Sequence, residues 1–337
     1  MIYLNNFFSS LRKMENILTL FELHKKRFVG RNTVNNIQDV NNIKYLVATF
    51  PKCGTMTLST SLQQNEDKTI HFKNVVHCHS EECWFAFHKY LRGTGFKLKH
   101  LIEISNHNNI KPIVFQLYRE PLGRAISNYI TENNNKFRNY INNKETFTEK
   151  YIIKYLINIS NNCGMLKLSE YYEKTFDFSF NDNIFNKTDG YGIINKDNYY
   201  IFFTLLDNFD RLNKNLNKAF SNNTQFNFLN FKVNNQNVKT NNVNYNNILD
   251  NISLPVTLLN KIFDSEEKLL KFFYTSEDIL NIKNKYINGE KIVKIISDDQ
   301  FVHKWFPEIN NLNEYKITNS IEKFSDIEVV FHFLTNN

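Results

Sequence analysis

The sequence is poor in the features that mark several classes of protein. Its four cysteines show no disulfide-framework spacing, so we expect reduced thiols. No apolar run is long enough to span a membrane, and residues 1–20 lack the basic segment and long apolar core of a signal peptide. No block of lysine and arginine indicates a nucleic-acid-binding arm. These absences predict a soluble, cytoplasmic protein without a nucleic-acid partner or transmembrane segment, although peripheral membrane contact stays possible.

The charge balance favours an anionic ligand. The formal net charge is +7 and the isoelectric point is about 9.0, with the basic residues spread along the chain. The 31 phenylalanines and 17 tyrosines predict an aromatic core, and 337 residues can bury a sizeable one. Composition alone leaves a nucleotide, an acidic glycan or a nucleic acid open, and it does not indicate an oligomeric state.

The stretch Lys44–Leu62 carries the strongest local pattern. Its apolar run Tyr45–Phe50 predicts a strand buried on both faces, and Pro51 should end that strand. Lys52, Cys53 and Gly54 should form a tight turn, with Gly54 taking a backbone conformation closed to other residues. Thr55 to Leu62 should then begin a helix, with Thr55 as its N-cap.

This strand, turn and helix start together favour anion binding. The first amides of a helix lack intrahelical acceptors and lie at the positive end of its dipole. Lys52 adds a full charge, and Thr55 and Thr57 add hydroxyl donors. The nucleotide-kinase loop GxxxxGK[ST] is absent, since here the lysine precedes the glycine, so a different phosphate group is expected. A purely structural strand-turn-helix is the alternative for this stretch taken alone.

A second stretch, Lys111–Ile130, repeats the arrangement. Ile113–Tyr118 should be a buried strand, and Pro121 should be the first residue of a helix. Arg119 then lies at the carboxyl end of a strand, where parallel α/β sheets bind ligands. Arg124 and Ser127 share a helix face, so both could join Arg119 around a second anion.

The two stretches together resemble the sulfotransferases that use 3′-phosphoadenosine-5′-phosphosulfate (PAPS). The family's 5′-phosphosulfate loop, [FY]-P-K-[ST]-G-T, is similar to Phe50–Thr55, with Cys53 in place of serine or threonine. Its 3′-phosphate motif, R-x-P-x-x-x-x-x-S, matches Arg119 to Ser127 with the same spacing. The resemblance covers about a quarter of the chain. The cofactor-binding residues that it implies are Pro51, Lys52, Cys53, Gly54, Thr55, Met56, Thr57, Arg119 and Ser127.

Candidate catalytic bases lie between the two motifs. Sulfuryl transfer needs a base for the attacking hydroxyl and positive charge beside the leaving oxygen. Lys52 fits the second role. For the base, His77 and His79 would face one side of a strand ending near His77, similar to the His-x-His of some glycan sulfotransferases. Glu81 or Glu82 is the alternative, and a third possibility is that the histidines only end a strand.

A zinc site competes for the same region. The residues His77, Cys78, His79, Cys83 and His88 are all zinc-ligand types. Their spacing matches no recognised zinc pattern, and Cys78 would point away from the two histidines in a strand. We therefore expect no metal.

The remaining chain is expected to add helices and edge strands to the core. The predicted helices include Glu82–Leu91, Gly164–Phe176 and Asp207–Phe220, the last capped by Asp207, and the predicted edge strands include Phe226–Val233 and Ile327–Leu334. The resemblance implies an α/β fold with a P-loop nucleotide-kinase-like central parallel sheet, flanking helices and helical insertions. We expect a single domain over 1–337, with an N-terminal helical extension at 1–42, a core at 43–233 and additions at 234–337. The helix predicted at Ser10–Phe28 would pack on the sheet or, alternatively, dock on a membrane or a partner. Helices from Leu254 onward weakly resemble those of bacterial capsule-type sulfotransferases.

The expected activity is transfer of a sulfuryl group from PAPS to a hydroxyl, most plausibly on a carbohydrate, with adenosine 3′,5′-bisphosphate as product. An ATP-dependent small-molecule kinase on a related fold is the first alternative. The absent GK[ST] element and the lack of an obvious acidic magnesium ligand count against it. The second alternative is a non-catalytic nucleotide-binding module.

Overall fold

The computed structural model describes residues 43–66, 75–78, 98–132, 149–161, 164–229, 231–233, 252–290 and 293–305. It has an α/β fold with a mixed sheet. The chain forms two compact units. The first unit comprises the described parts of Met1–Phe50, Gly54–Leu117 and Tyr191–Asn234. The second comprises those of Pro51–Cys53, Tyr118–Gly190 and Asn235–Asn337. The expectation of a single domain over 1–337 stays a prediction.

The described residues contain strands and helices in the following chain order. The strands are β1 Tyr45–Ala48, β2 Val75–Cys78, β3 Ile113–Tyr118, β4 Phe185–Asn186, β5 Tyr191–Asn195, β6 Tyr200–Leu205, β7 Ser253–Pro255 and β8 Lys294–Ile296. The helices are α1 Thr55–Glu66, α2 Leu98–His107, α3 Pro121–Glu132, α4 Glu149–Asn161, α5 Gly164–Phe176, α6 Leu212–Phe220, α7 Val256–Asp264, α8 Glu267–Phe273, α9 Ser276–Ile287 and α10 Asp298–Trp305.

The first unit is built around β1. Five strands lie side by side in the order β2-β1-β3-β6-β5, and β1 pairs in parallel with both β2 and β3. All residues of β1 and β3 are buried, as their unbroken apolar runs predicted. The hairpin of β5 and β6 is antiparallel, so the sheet is mixed where a parallel one was expected. Helix α1 packs against β1 and β2.

Aromatic rings fill the core of this unit. Tyr45 lies 5.7 Å from Phe226 between ring centroids, and Phe115 lies 5.7 Å from Phe202. Such tilted pairs are worth about 0.5–1.5 kcal/mol beyond the area they bury. Aromatic residues therefore form the core of this unit, as the composition of the sequence predicted.

The second unit is mainly helical. Helices α3, α4 and α7 pack against one another, and β7 pairs in parallel with β8. Phe273 of α8 stacks on Tyr118, with ring centroids 4.9 Å apart. The stacking places Tyr118, immediately before Arg119, in the core of this unit.

Two local predictions in the first unit are wrong. Asp207 does not cap a helix, because it lies in the 3-10 helix Leu206–Asn208 and α6 begins five residues after it. Phe226 to Val233 is not an edge strand. The Phe231 amide donates to the Phe228 carbonyl, which makes a turn. The carbonyls of Phe228 and Phe231 accept hydrogen bonds from asparagine side chains of α6 instead of from a strand.

Several predictions lie outside the described residues and stay predictions. They are the helices at Ser10–Phe28 and Glu82–Leu91 and the strand at Ile327–Leu334.

Candidate functional site

The topology brings both predicted anion-binding loops to one edge of the sheet. Strands β1 and β3 are adjacent and parallel, so their carboxyl ends lie on the same side. Strand β2 flanks β1 on the other side, so the connections leaving β1 and β2 turn in opposite directions. Open α/β sheets bind ligands at such a switch point. The loop after β1 carries Lys52, and the loop after β3 carries Arg119.

The turn after β1 contains two residues with left-handed backbone. Lys52 has φ of 62° and Gly54 has φ of 82°. A Cβ atom on Gly54 would lie 2.5 Å from Leu206 Cδ1 and 3.1 Å from the Phe209 ring, so a larger residue does not fit. The predicted requirement for glycine is confirmed, whereas the left-handed lysine had no signal in the sequence.

Helix α1 begins one residue earlier than its predicted cap implies. The Gly54 carbonyl accepts the first helical hydrogen bond, from the Leu58 amide at 3.0 Å, so Thr55 is the first helical residue and the N-cap prediction is wrong. The Thr55 hydroxyl is buried and lies 2.5 Å from that of Thr49. Helix geometry leaves the amides of residues 55–57 without intrahelical acceptors. Met56 beside them is 50 % exposed, so this end of the helix reaches the surface.

Cys53 lies beside the start of the second motif. Its buried thiol donates to the Pro51 carbonyl at 3.6 Å, and the Arg119 backbone lies near enough to influence the pKa of the thiol. Burial raises the pKa of Cys53 to about 12, against the opposing effect of the nearby Arg124 and Arg119 charges. The thiol is therefore neutral at physiological pH. It positions the loop, and it is not a nucleophile.

A buried carboxylate caps the helix of the second motif. The Gly123 amide donates to both carboxylate oxygens of Glu120, at 3.0 and 2.9 Å, and the Tyr286 hydroxyl donates to one of them at 2.7 Å. A Cβ on Gly123 would lie 2.0 Å from Glu120 Oε1 and 3.0 Å from Arg119 Nη2. The Glu120 carboxylate occupies the start of α3. The binding of an anion at this position would therefore depend on side chains more than on the backbone amides of that helix.

Arg124 does not join the predicted anion site. It is buried and forms an ion pair with Glu266, which also accepts a hydrogen bond from the Tyr118 hydroxyl at 2.9 Å. Burial has the largest single effect and lowers the pKa of Arg124, but Glu266, Cys53 and Tyr118 together raise that pKa above its usual value, so the guanidinium stays charged. Arg119 and Ser127 remain the candidates, and both are half-buried.

Of the candidate bases, the structure describes His77 alone. It lies in β2 opposite Val47 of β1, near the carboxyl end of the strand, and it is 7 % exposed. His79, Glu81 and Glu82 lie outside the described residues, so the choice of base stays a prediction. Among the described residues, no group of three or more potential ligands could hold a metal ion.

Sequence reasoning missed the buried polar residues that support the two loops. Glu120 and Glu266 sit in loops whose pattern gives no sign of burial, and their partners are distant in sequence. Gln116 had a weak signal, as an amide in the otherwise apolar and aromatic run of β3. It is fully buried, and neither of its side-chain polar atoms has a partner among the described residues.

Comparisons of the chain with protein-family models, with curated proteins and with solved structures find no match. None of the described helices is both long and apolar enough to cross a membrane.

Proposed function

We propose that this protein is a sulfotransferase that moves a sulfuryl group from PAPS to a hydroxyl group of a carbohydrate. The observation that carries the proposal is the position of its two motifs. They follow adjacent parallel strands, and the Arg119 backbone lies near Cys53 of the first loop. Two anion-binding loops at a switch point suit a donor with phosphate groups at both ends of its ribose.

The first loop is assigned the 5′-phosphosulfate. The amides of residues 55–57 and the ammonium of Lys52 would contact its oxygens, with the hydroxyls of Thr55 and Thr57 as further donors. The left-handed Lys52 and Gly54 shape this loop. Met56 would cover the bound group from its exposed position.

The second loop is assigned the 3′-phosphate, held by Arg119 and Ser127. Arginine offers a planar fork of donors that matches phosphate oxygens. The carboxylate of Glu120 is turned into α3 by Gly123 and Tyr286, which limits its repulsion of a phosphate.

PAPS supplies the sulfuryl group. His77 or His79, or alternatively Glu81 or Glu82, takes the proton from the acceptor hydroxyl as its oxygen bonds to sulfur. The bond between sulfur and the bridging oxygen breaks, and Lys52 stabilises the charge that develops on the departing phosphate. Adenosine 3′,5′-bisphosphate is the second product, and the step needs no metal.

We further propose that the α/β core is of the P-loop nucleotide-kinase-like type and that the protein acts in the cytoplasm. The tight turn with Lys52 and Gly54 between β1 and α1 supports the first point. If this proposal fails, the alternative functions are an ATP-dependent kinase and a non-catalytic nucleotide-binding module.

The test measures release of adenosine 3′,5′-bisphosphate from PAPS in the presence of a panel of glycans. Lys52→Ala should lower turnover about 100-fold or more while changing nucleotide affinity less, because its charge acts on the transition state. Lys99→Ala, at an exposed lysine of α2, removes the same charge and should behave like the wild type. Equal losses of binding and turnover in Lys52→Ala would contradict the assigned role, and an absence of release with every glycan would contradict the activity.

A further inference from the structure

A cavity of about 250 Å³ lies in the second unit, and none of the residues assigned to the donor lines it. Three buried phenylalanines, Phe180, Phe185 and Phe272, line it. Lys187, Lys268 and Lys271 also line it. We propose that this cavity binds one acidic sugar residue of a glycan acceptor. The choice of a glycan rests on the proposed function.

The wall of the cavity is held in place before any ligand arrives. Glu173 accepts a hydrogen bond from the Phe180 amide at 2.6 Å and pairs with Lys268 at 2.7 Å. Asp182 accepts one from the Ser179 amide at 3.0 Å. The Phe180 and Phe272 rings meet edge to face, 5.1 Å apart. A preformed wall lowers the ordering cost of binding.

The lining suits a sugar. The three buried phenylalanines expose little ring surface in the cavity, and the exposed amide and carboxylate groups of Asn181, Asp182 and Asn183 can bind the hydroxyls of a pyranose. The volume is below the 300–1,000 Å³ that is typical of drug-sized ligands, which restricts the occupant to about one sugar unit.

The charges favour an acidic sugar over a neutral one. Lys268 is held by Glu173. The pair of Lys271 with Glu267 has both side chains more than 60 % exposed, and such pairs contribute little, so Lys271 can turn to a ligand. Lys187 is exposed and forms no ion pair with a described residue. Two ammonium groups are thus available against the single carboxylate of Asp182 in the lining.

The experiment is calorimetric titration of the full chain with a galacturonate tetramer and with a neutral glucose tetramer. The acidic tetramer should bind more tightly, and the double variant Lys187→Gln and Lys271→Gln should weaken its binding by about tenfold, since contacts made by exposed charges are screened by water. Lys285→Gln, at an exposed lysine of α9, is the matched charge control and should change nothing. Asn183→Trp should abolish binding by filling the cavity.

Titration with adenosine 3′,5′-bisphosphate separates the two proposals. Wild type and all these variants should bind the nucleotide equally. Two results would overturn the cavity proposal alone. In the first, the protein binds the nucleotide but not the acidic tetramer. In the second, Asn183→Trp and the double lysine variant both still bind the tetramer. Tetramer binding with these effects but no nucleotide binding would uphold the cavity and count against the sulfotransferase.

Discussion

At the scale of single residues, Gly54 and Cys53 decide the shape of the first loop. Gly54 combines a positive φ with close contacts to Leu206 and Phe209. Cys53 is a buried thiol that donates to the Pro51 carbonyl, at the position where the sulfotransferase loop that this stretch resembles has serine or threonine. The loop therefore depends on backbone shape, and the departure at Cys53 still leaves its amides in place.

Gly54→Ala should lower the free energy of unfolding by about 1–3 kcal/mol, because the new methyl group adds a clash to backbone strain. Urea denaturation measures this change. Gly289→Ala is the control, since Gly289 has φ of 71° and no atom within 4 Å of its Cβ position. The control should lose less stability, and an equal loss in both variants would show that the clash is unimportant.

The thiol of Cys53 should also affect stability at high pH. Its pKa is raised from 9.0 to about 12 in the folded state by burial, so the folded state keeps a proton that the unfolded state has lost. The stabilisation is complete below pH 9 and is lost as the pH rises towards 12. Between these values the wild type should lose up to about 1.4 kcal/mol more per pH unit than Cys53→Ala. Parallel pH profiles of the two proteins would contradict the burial of this thiol.

At the scale of elements, the bounds of strands and helices were predicted better than the structure of the segments that connect them. Ile113–Tyr118 and Gly164–Phe176 have the predicted bounds, because long apolar or amphipathic patterns dominate local preference. Phe226 to Val233 failed because asparagines of α6, distant in sequence, bind its carbonyl groups. For the site, the two loops were predicted and their supports, Glu120 and Glu266, were not.

Glu266 gives an element-scale prediction, since it connects the end of β3 with α3 through Tyr118 and Arg124. Glu266→Gln should lower the free energy of unfolding by about 3–5 kcal/mol, because it leaves the Arg124 charge buried without a counter-charge. Chemical denaturation measures the loss. Glu267→Gln, which breaks the exposed pair with Lys271, is the control and should change stability little. A small effect of Glu266→Gln would mean that water reaches Arg124.

Gly123→Ala tests the start of α3. Its methyl group would displace the Glu120 carboxylate from the helix cap and press on Arg119. Loss of a cap costs about 1 kcal/mol. The variant should also bind adenosine 3′,5′-bisphosphate more weakly, which calorimetry measures. Ala125→Gly, in the same helix, is the control: it should lower the free energy of unfolding by about 1 kcal/mol without lowering the affinity for the nucleotide. Equal nucleotide affinity in the two variants would contradict a contact between Arg119 and the phosphate.

At the scale of the whole molecule, no sequence pattern indicated two compact units. Both have aromatic cores, and each is assembled from several separate stretches of the chain, so no shift of composition marks a boundary. The α/β class followed from the resemblance, whereas the switch point at β1 was not predicted. The antiparallel pairing of β5 with β6 is local, since residues 196–199 connect the two strands, and it departs from the parallel sheet that the resemblance implied.

The central claim is recognition of a 3′-phosphorylated nucleotide, and thermal unfolding tests it most directly. Adenosine 3′,5′-bisphosphate at one hundred times its dissociation constant should stabilise the protein by about 2.7 kcal/mol, with ADP and 5′-AMP as controls. The account predicts a rise in Tm that is specific to the 3′-phosphate, is lost in Arg119→Ala and is kept in Arg211→Ala, at a 62 % exposed arginine. No rise, or an equal rise with ADP, would contradict it.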